Sequence, residues 1–364
     1  NDIPARNINF KGLTFTKGDR SVWYKNRKGW GIQHDWDTFD YGNALLRFRG
    51  AENCKVTECR FTNSGGSAMR LDLHAQNIEI KNNYIDYVGH MGILLAGYGP
   101  GTKDVNKNNI IENNILHHVG QVIWHGHAIF AWQSGLNKIA NNYIHDVPRK
   151  AIGLCGVRCQ ILMKPEDNFD EASRTIRWSE IEQTVDSTLT PQRRYAPYLH
   201  ARNNIVEYNR AERTLLKLND GSSINISGAG TGNIIRHNLI YDVPHVGFRT
   251  DDWQEGTTLI NNIVHKSGSS AFIHKGINTI NINVGQTIYT RYPVHKQINI
   301  IRRALQNMWG AGAPKEFLDM CTFIDDEINR NNARKEVYGT PNTPYVYVTK
   351  DDIEENVKKR MNDE

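Results

Sequence analysis

The stretch from Asp220 to Gly276, DGSSINISGAGTGNIIRHNLIYDVPHVGFRTDDWQEGTTLINNIVHKSGSSAFIHKG, carries two successive copies of one structural unit and the start of a third. Ser223-Ile-Asn-Ile-Ser227 lies over Gly247-Phe-Arg-Thr-Asp251 and then over Ala271-Phe-Ile-His-Lys275, at an offset of 24 residues each time. Each unit opens on a short alternating segment, passes a polar or glycine-containing turn, and continues into a second apolar segment, Asn238-Leu-Ile240 in one and Asn262-Ile-Val264 in the next. A unit of that length with two or three short strands reads as one turn of a solenoid, each covering the next.

Outward from that stretch the same step recurs at Cys59-Arg-Phe61, Asn83-Tyr-Ile85, Asn114-Ile-Leu116, Asn142-Tyr-Ile144 and Asn204-Ile-Val206. The intervals along the whole series are 24, 31, 28, 62, 34 and 24 residues: single coils with loops of different length, and one coil with a long insertion. Asparagine suits the turn because it tolerates left-handed backbone, and its amide can bond the same side chain one coil above and below, about 4.8 Å away. Short parallel strands stacked in this way make a parallel β-helix.

Composition agrees. In 364 residues, 39% hydrophobic content and 30 glycines are what a narrow core column with many turns requires, and the mean hydropathy is −0.58. A net charge of +5 is spread along the chain without a Lys/Arg block, which argues against a nucleic-acid arm. No apolar run reaches transmembrane length and no signal peptide is visible. Repeat-like sequence begins at Ile8, so Asn1 is not expected to be the natural start. Cys54, Cys59, Cys155, Cys159 and Cys321 lack zinc spacing and are odd in number, so they read as structural thiols.

The expected organisation is an all-β parallel β-helix over residues 1–290, with an excursion at 157–200, and a helical C-terminal cap over 291–364. The excursion is rich in charge and helix formers and lacks the asparagine step. The segment 296–334 has apolar spacing of three and four residues, broken at Gly310-Ala-Gly-Ala-Pro314.

Strand alternation sets the candidate site. With Phe248 inward, Arg249 and Asp251 point out, and the equivalent pairs are Arg47 and Arg49, Arg70 and Asp72, Phe130 and Trp132, Asn225 and Ser227, and Ile273 and Lys275. Within this stripe Asp220, Asp251 and Asp252 bring carboxyls from adjacent coils together. Two such groups facing a sugar can divide acid and base roles, because crowding drives their pKa values apart. The alternative for these three is turn formation or a calcium site. His125 and His127, with His117, His118, His145, Trp124 and Trp132, form a second group, either a metal pair or a sugar-binding wall. Trp253 follows the acid pair, and His274 with Lys275 lies one coil beyond it, placed to donate a proton or hold a carboxylate, or simply packed or solvated.

Asn43-Ala-Leu-Leu-Arg-Phe-Arg-Gly-Ala-Glu-Asn53, Gly97-Tyr-Gly-Pro-Gly-Thr-Lys-Asp104, Asn141-Asn-Tyr-Ile-His-Asp146, Gly228-Ala-Gly-Thr-Gly-Asn233 and Arg249-Thr-Asp-Asp252 resemble the right-handed, pectate-lyase-like β-helix proteins of bacterial polysaccharide degradation. Among these the chain is most similar to glycoside hydrolase family 141, and more distantly to family 120, over about residues 5–285. The resemblance implies a secreted or periplasmic hydrolase of a plant or algal polysaccharide or its oligosaccharides, and the chain is expected to be a monomer. The resemblance places the paired acids at Asp220 and Asp251 or Asp252; no cofactor is expected unless calcium binds at these aspartates. The 157–200 insertion and the helical tail depart from the family's pattern. Two alternatives stand beside it: a uronate-specific lyase with Arg70, Arg249 or Lys275 as base and calcium on the aspartates, and a non-catalytic glycan-binding solenoid.

Overall fold

The computed structural model describes residues 3–19, 44–163, 176–182, 186, 188–274, 282–284 and 287–290. The expected helical cap, Lys275 and Cys321 lie outside them.

Three parallel sheets run along the described chain, one of ten strands and two of nine, and each strand pairs with its counterpart one coil away. The first sheet includes Ser67–Gln76, Ile93–Ala96, Ile129–Trp132, Ile152–Cys155, Ile224–Ser227, Val246–Asp251 and Ser270–His274. The 24-residue register holds residue for residue: Ile224 pairs with Phe248 and Ser227 with Asp251, and Phe248 in turn pairs with Phe272. Inward rows are continuous apolar columns. Met69, Ile93, Ile129, Ile152, Ile224 and Phe248 form one, and Leu71, Leu95, Ala131, Leu154 and Ile226 the next, all buried. At about 1.5–3 kcal/mol per large side chain buried, these columns hold the coils together.

The asparagines divide the labour expected of one residue between two. Asn82, Asn108, Asn113, Asn141, Asn203 and Asn261 take the left-handed conformation, at φ between 53° and 58°. The residue after each faces inward and builds the ladder. Asn83, Asn114, Asn142, Asn209, Asn238 and Asn262 form one file; from Asn114 onward each amide oxygen accepts from the backbone N–H of the asparagine before it at 3.0 Å, and that of Asn83 accepts from Cys59 N at 2.9 Å. Asn109, Asn137, Asn204 and Asn233 form a second file. Asn204 therefore belongs one turn earlier than the spacing series places it, and Asn209 takes its place. The intervals become 24, 31, 28, 67, 29 and 24. Asn204-Ile-Val206 imitates the aliphatic step, whereas the true step, Asn209-Arg-Ala211, carries an arginine on its outer face.

Asn142 is fully engaged: its Nδ2 donates to Ile111 O and Asn209 Oδ1, both at 2.9 Å, and its Oδ1 accepts from Asn114 N and Nδ2 at 3.0 Å. Asn142→Ala strands a buried N–H and a buried carbonyl, so unfolding by urea should show a loss of about 2–5 kcal/mol. A loss below about 0.5 kcal/mol would remove the ladder from the stability argument.

Candidate functional site

The outward rows of the first sheet keep the expected register: Arg47, Arg70, Leu94, Phe130, Gly153, Asn225 and Arg249 in one, and Arg49, Asp72, Ala96, Trp132, Cys155, Ser227 and Asp251 in the other. Their character changes along the axis. In the early coils Asp72 pairs with both Arg47 and Arg70, and Asp72 and Arg70 are buried. In the middle Leu94, Ala96, Phe130, Trp132 and Cys155 pack with Met91 into a buried apolar patch. In the later coils the face is polar again, and here the carboxylates Asp220 and Asp251 stay partly exposed.

There Arg249, held mid-strand, reaches carboxylates on both sides. Its Nη1 donates to Asp220 Oδ1 at 2.9 Å and its Nη2 to Asp251 Oδ2. Asp220, in the loop before Ile224–Ser227, also accepts from Arg149 Nη2 at 3.0 Å and from Arg249, while half of its side chain stays exposed. Burial alone would raise its carboxyl, but the hydrogen bond from Arg249 and the charge of Arg149 win and bring it down to about 2. Asp252 goes the other way. Burial first, and then the neighbouring Asp251 charge, raise its carboxyl above the usual range, although Ser227 Oγ donates to it. Two acids on adjacent coils are thus split into an ionised and a protonation-prone member, the division that acid–base work on one substrate requires.

Lys150 and Arg149 complete the cluster. Arg149 is 1% exposed and Lys150 7%. Burial, with Arg149 adding, lowers the lysine to about 8. His125, partly exposed, is lowered to about 4 by burial and by Arg149 and Lys150, and is neutral near pH 7. The strand pairing and alternation that found Asp251 and Arg249 could not find Arg149 and Lys150, which lie in the turn before Ile152–Cys155. Their one sequence signal was an adjacent basic pair entering a strand otherwise apolar.

Several expected ligand contacts fall elsewhere. Trp132 is 3% exposed inside the apolar patch, so its ring cannot serve as an open stacking wall. Arg70 and Asp72 are buried in their ion triad rather than turned to a substrate. Trp253 packs against the cluster of Val157, Cys159, Leu162, Ile176, Ile181, Tyr195 and Leu199 formed within 157–200. His127 is fully buried, edge-on to Phe130 at 4.5 Å. His274 pairs with Thr250 in the inward row, its Nδ1 2.7 Å from the threonine hydroxyl. Alternation put the outward positions at residues 273 and 275, so a histidine at 274 had to face the core.

The histidine group separates into two. His125 and His127 lie in the turn that enters Ile129–Trp132 of the first sheet, whereas His117 and His145 stack at 4.6 Å on the third, beside Asp86, Asp146 and Glu212. Among the described residues no group of three or more His, Cys, Asp or Glu side chains is arranged to hold a metal ion.

Residues 4–156 match the family described as "Right handed beta helix region". The described chain is a right-handed parallel β-helix. A solved glycoside hydrolase superposes with a TM-score of 0.51 at 17% identity, covering 76% of this chain and 41% of the other. The chain thus spans about two fifths of that hydrolase's length, and the likeness is one of fold. An alginate lyase from Paenibacillus sp. str. FPU-7 superposes with a TM-score of 0.39 at 16% identity, over 68% of this chain and 77% of the lyase. No curated protein matches the sequence. No helix among the described residues is long and apolar enough to cross a membrane.

Proposed function

We propose that the chain is a glycan-cleaving enzyme outside the cytoplasm, a glycoside hydrolase of the kind the family 141 resemblance implies. The observation that carries this reading is the divergence of Asp220 and Asp252, lowered and raised on adjacent coils, with the Arg249 guanidinium bridging Asp220 to Asp251, the residue beside Asp252. The fold-level likeness to a solved glycoside hydrolase supports it. In this reading Asp252 gives its proton to the glycosidic oxygen as the bond to the anomeric carbon breaks and its electron pair passes to that oxygen. Asp220, ionised and half exposed, takes a proton from the attacking water or attacks the anomeric carbon itself. Arg149 and Arg249 keep Asp220 charged, and burial with the Asp251 charge raises the Asp252 carboxyl.

One observation favours a second reading, elimination beside a uronate carboxylate. That chemistry needs a base. Arg249 is held protonated by Asp220 and Asp251, which raise it, and Arg70 is enclosed with Asp72, but Lys150 releases its proton near pH 8. A panel of plant and algal polysaccharides, assayed for new reducing ends together with ultraviolet absorbance, separates the readings. Reducing ends without absorbance are expected. Absorbance of an unsaturated uronide would transfer the base to Lys150, and silence in both channels would count against cleavage.

A further inference from the structure

The least explained charge in the molecule is Lys150. Its side chain is 7% exposed and makes no hydrogen bond to any described residue. Arg149 and Arg249, its neighbours, each leave one buried nitrogen, Nη1 and Nε, without a hydrogen-bond partner among the described residues. The surrounding charges do not balance it. Arg149, Arg249, His125 and His127 face it on one side of the ledger and Asp220, Asp252 and the Cys155 thiol on the other. His125 and His127 are held neutral and the Asp252 carboxyl is raised, while Asp220 is shared between the two guanidiniums and Asp251 is taken by Arg249, so three basic groups meet two ion-paired carboxylates. An ammonium so enclosed, with no acceptor among the described residues, is costly, and a methionine would fill the space at lower cost. The backbone also makes room for it: Gly221 sits at φ +125°, and a Cβ there would lie 2.6 Å from Lys150 Cε.

We propose that the Lys150 ammonium anchors a subsite for an anionic substituent of the glycan, a uronate carboxylate or a sulfate ester, bound beside Asp220. This deepens the glycan-cleaving reading and rests on it. An incoming anion supplies acceptors to the ammonium and adds negative charge where three basic groups meet Asp220 and Asp251. Because Lys150 loses its proton near pH 8, the preference for an anionic sugar declines as the pH passes that value.

The test is calorimetric titration of the full chain and of Lys150→Met with glucuronate, a sulfated galactose, glucose and galactose. The wild type should bind one of the two anionic sugars about 10- to 100-fold more tightly than its neutral counterpart, and which one identifies the anion. Lys150→Met should erase that preference while its melting temperature stays equal or rises, an outcome a structural lysine would not give. Equal binding of charged and neutral sugars, or a preference retained in Lys150→Met, would overturn the subsite and leave the glycan reading standing. Absence of binding by all four sugars would also overturn it, and cleavage on the polysaccharide panel would then decide the broader reading separately. Should Lys150→Met fail to fold, the wild-type pH series still decides: a preference undiminished well above about pH 8 removes Lys150 as its source.

Discussion

Asp252→Asn is expected to lower kcat on the cleaved glycan by about 10²- to 10⁴-fold, the contribution of a positioned general acid, while thermal stability is unchanged or slightly higher. The two outcomes follow from one fact. Burial and Asp251 already favour the neutral carboxyl at this position, so a neutral amide of the same shape disturbs little in the fold. What it removes is the transferable proton. Asp220→Asn should behave differently, because it leaves Arg149, 1% exposed, without its carboxylate, so activity and stability should fall together. The pH dependence has a defined sign. Activity requires Asp252 protonated and declines as pH rises through its raised value, and it requires Asp220 ionised, which holds down to about 2. In Asp252→Asn the alkaline decline should disappear from the residual rate. Steady-state rates with melting curves on both variants check the pair, and full activity in Asp252→Asn would remove it as the acid.

The second large effect is acid instability. His90, His117 and His265 are buried and each is lowered to about 3, by burial first; Arg70 adds at His90, His145 at His117 and Lys266 at His265. A histidine that resists protonation when folded but accepts it near pH 6.5 when unfolded contributes stability that is full above the unfolded value. That stability is lost as pH falls from about 6.5 toward 3. Each contributes a slope of about 1.4 kcal/mol per pH unit, so the three together remove about 4 kcal/mol per unit once the pH is well below 6.5. Glu212, lowered to about 2 largely by Arg210 and Arg213 against its burial, extends the loss below the ordinary carboxylate range. Urea midpoints at about pH 7.5 and about pH 5 should differ strongly, and a flat profile would show these rings are charged in the fold. The fall in activity on acidification should therefore follow unfolding long before Asp220 titrates.

Much of the fold was legible because a coil is a local object. The offset that lays Ser223-Ile-Asn-Ile-Ser227 on Gly247-Phe-Arg-Thr-Asp251 is the strand register itself, since parallel stacking turns sequence offset into spatial neighbourhood. The same logic found the outward rows and the carboxyls of adjacent coils. It failed at Asn204 and Asn209, the two asparagine steps of one coil, because the aliphatic pair there follows the first step and an arginine the second, and aliphatic content cannot tell one corner of the coil from the next. It also failed wherever outward does not mean exposed. Trp132, Arg70 and Asp72 point away from the core column and are nevertheless buried, by packing that alternation does not encode. Arg149 and Lys150 were missed because a turn has no period; only their convergence on Asp220, 71 residues from Arg149, reveals them.

The account stands most directly on the cleavage step itself, and cleavage of an active glycan in heavy-oxygen water tests it. Hydrolysis through Asp252 and Asp220 predicts one labelled oxygen at each new reducing end, saturated products, and loss of that label-bearing product in Asp252→Asn. Unlabelled, unsaturated ends formed equally well by Asp252→Asn would contradict the acid pair and place the chemistry on Lys150.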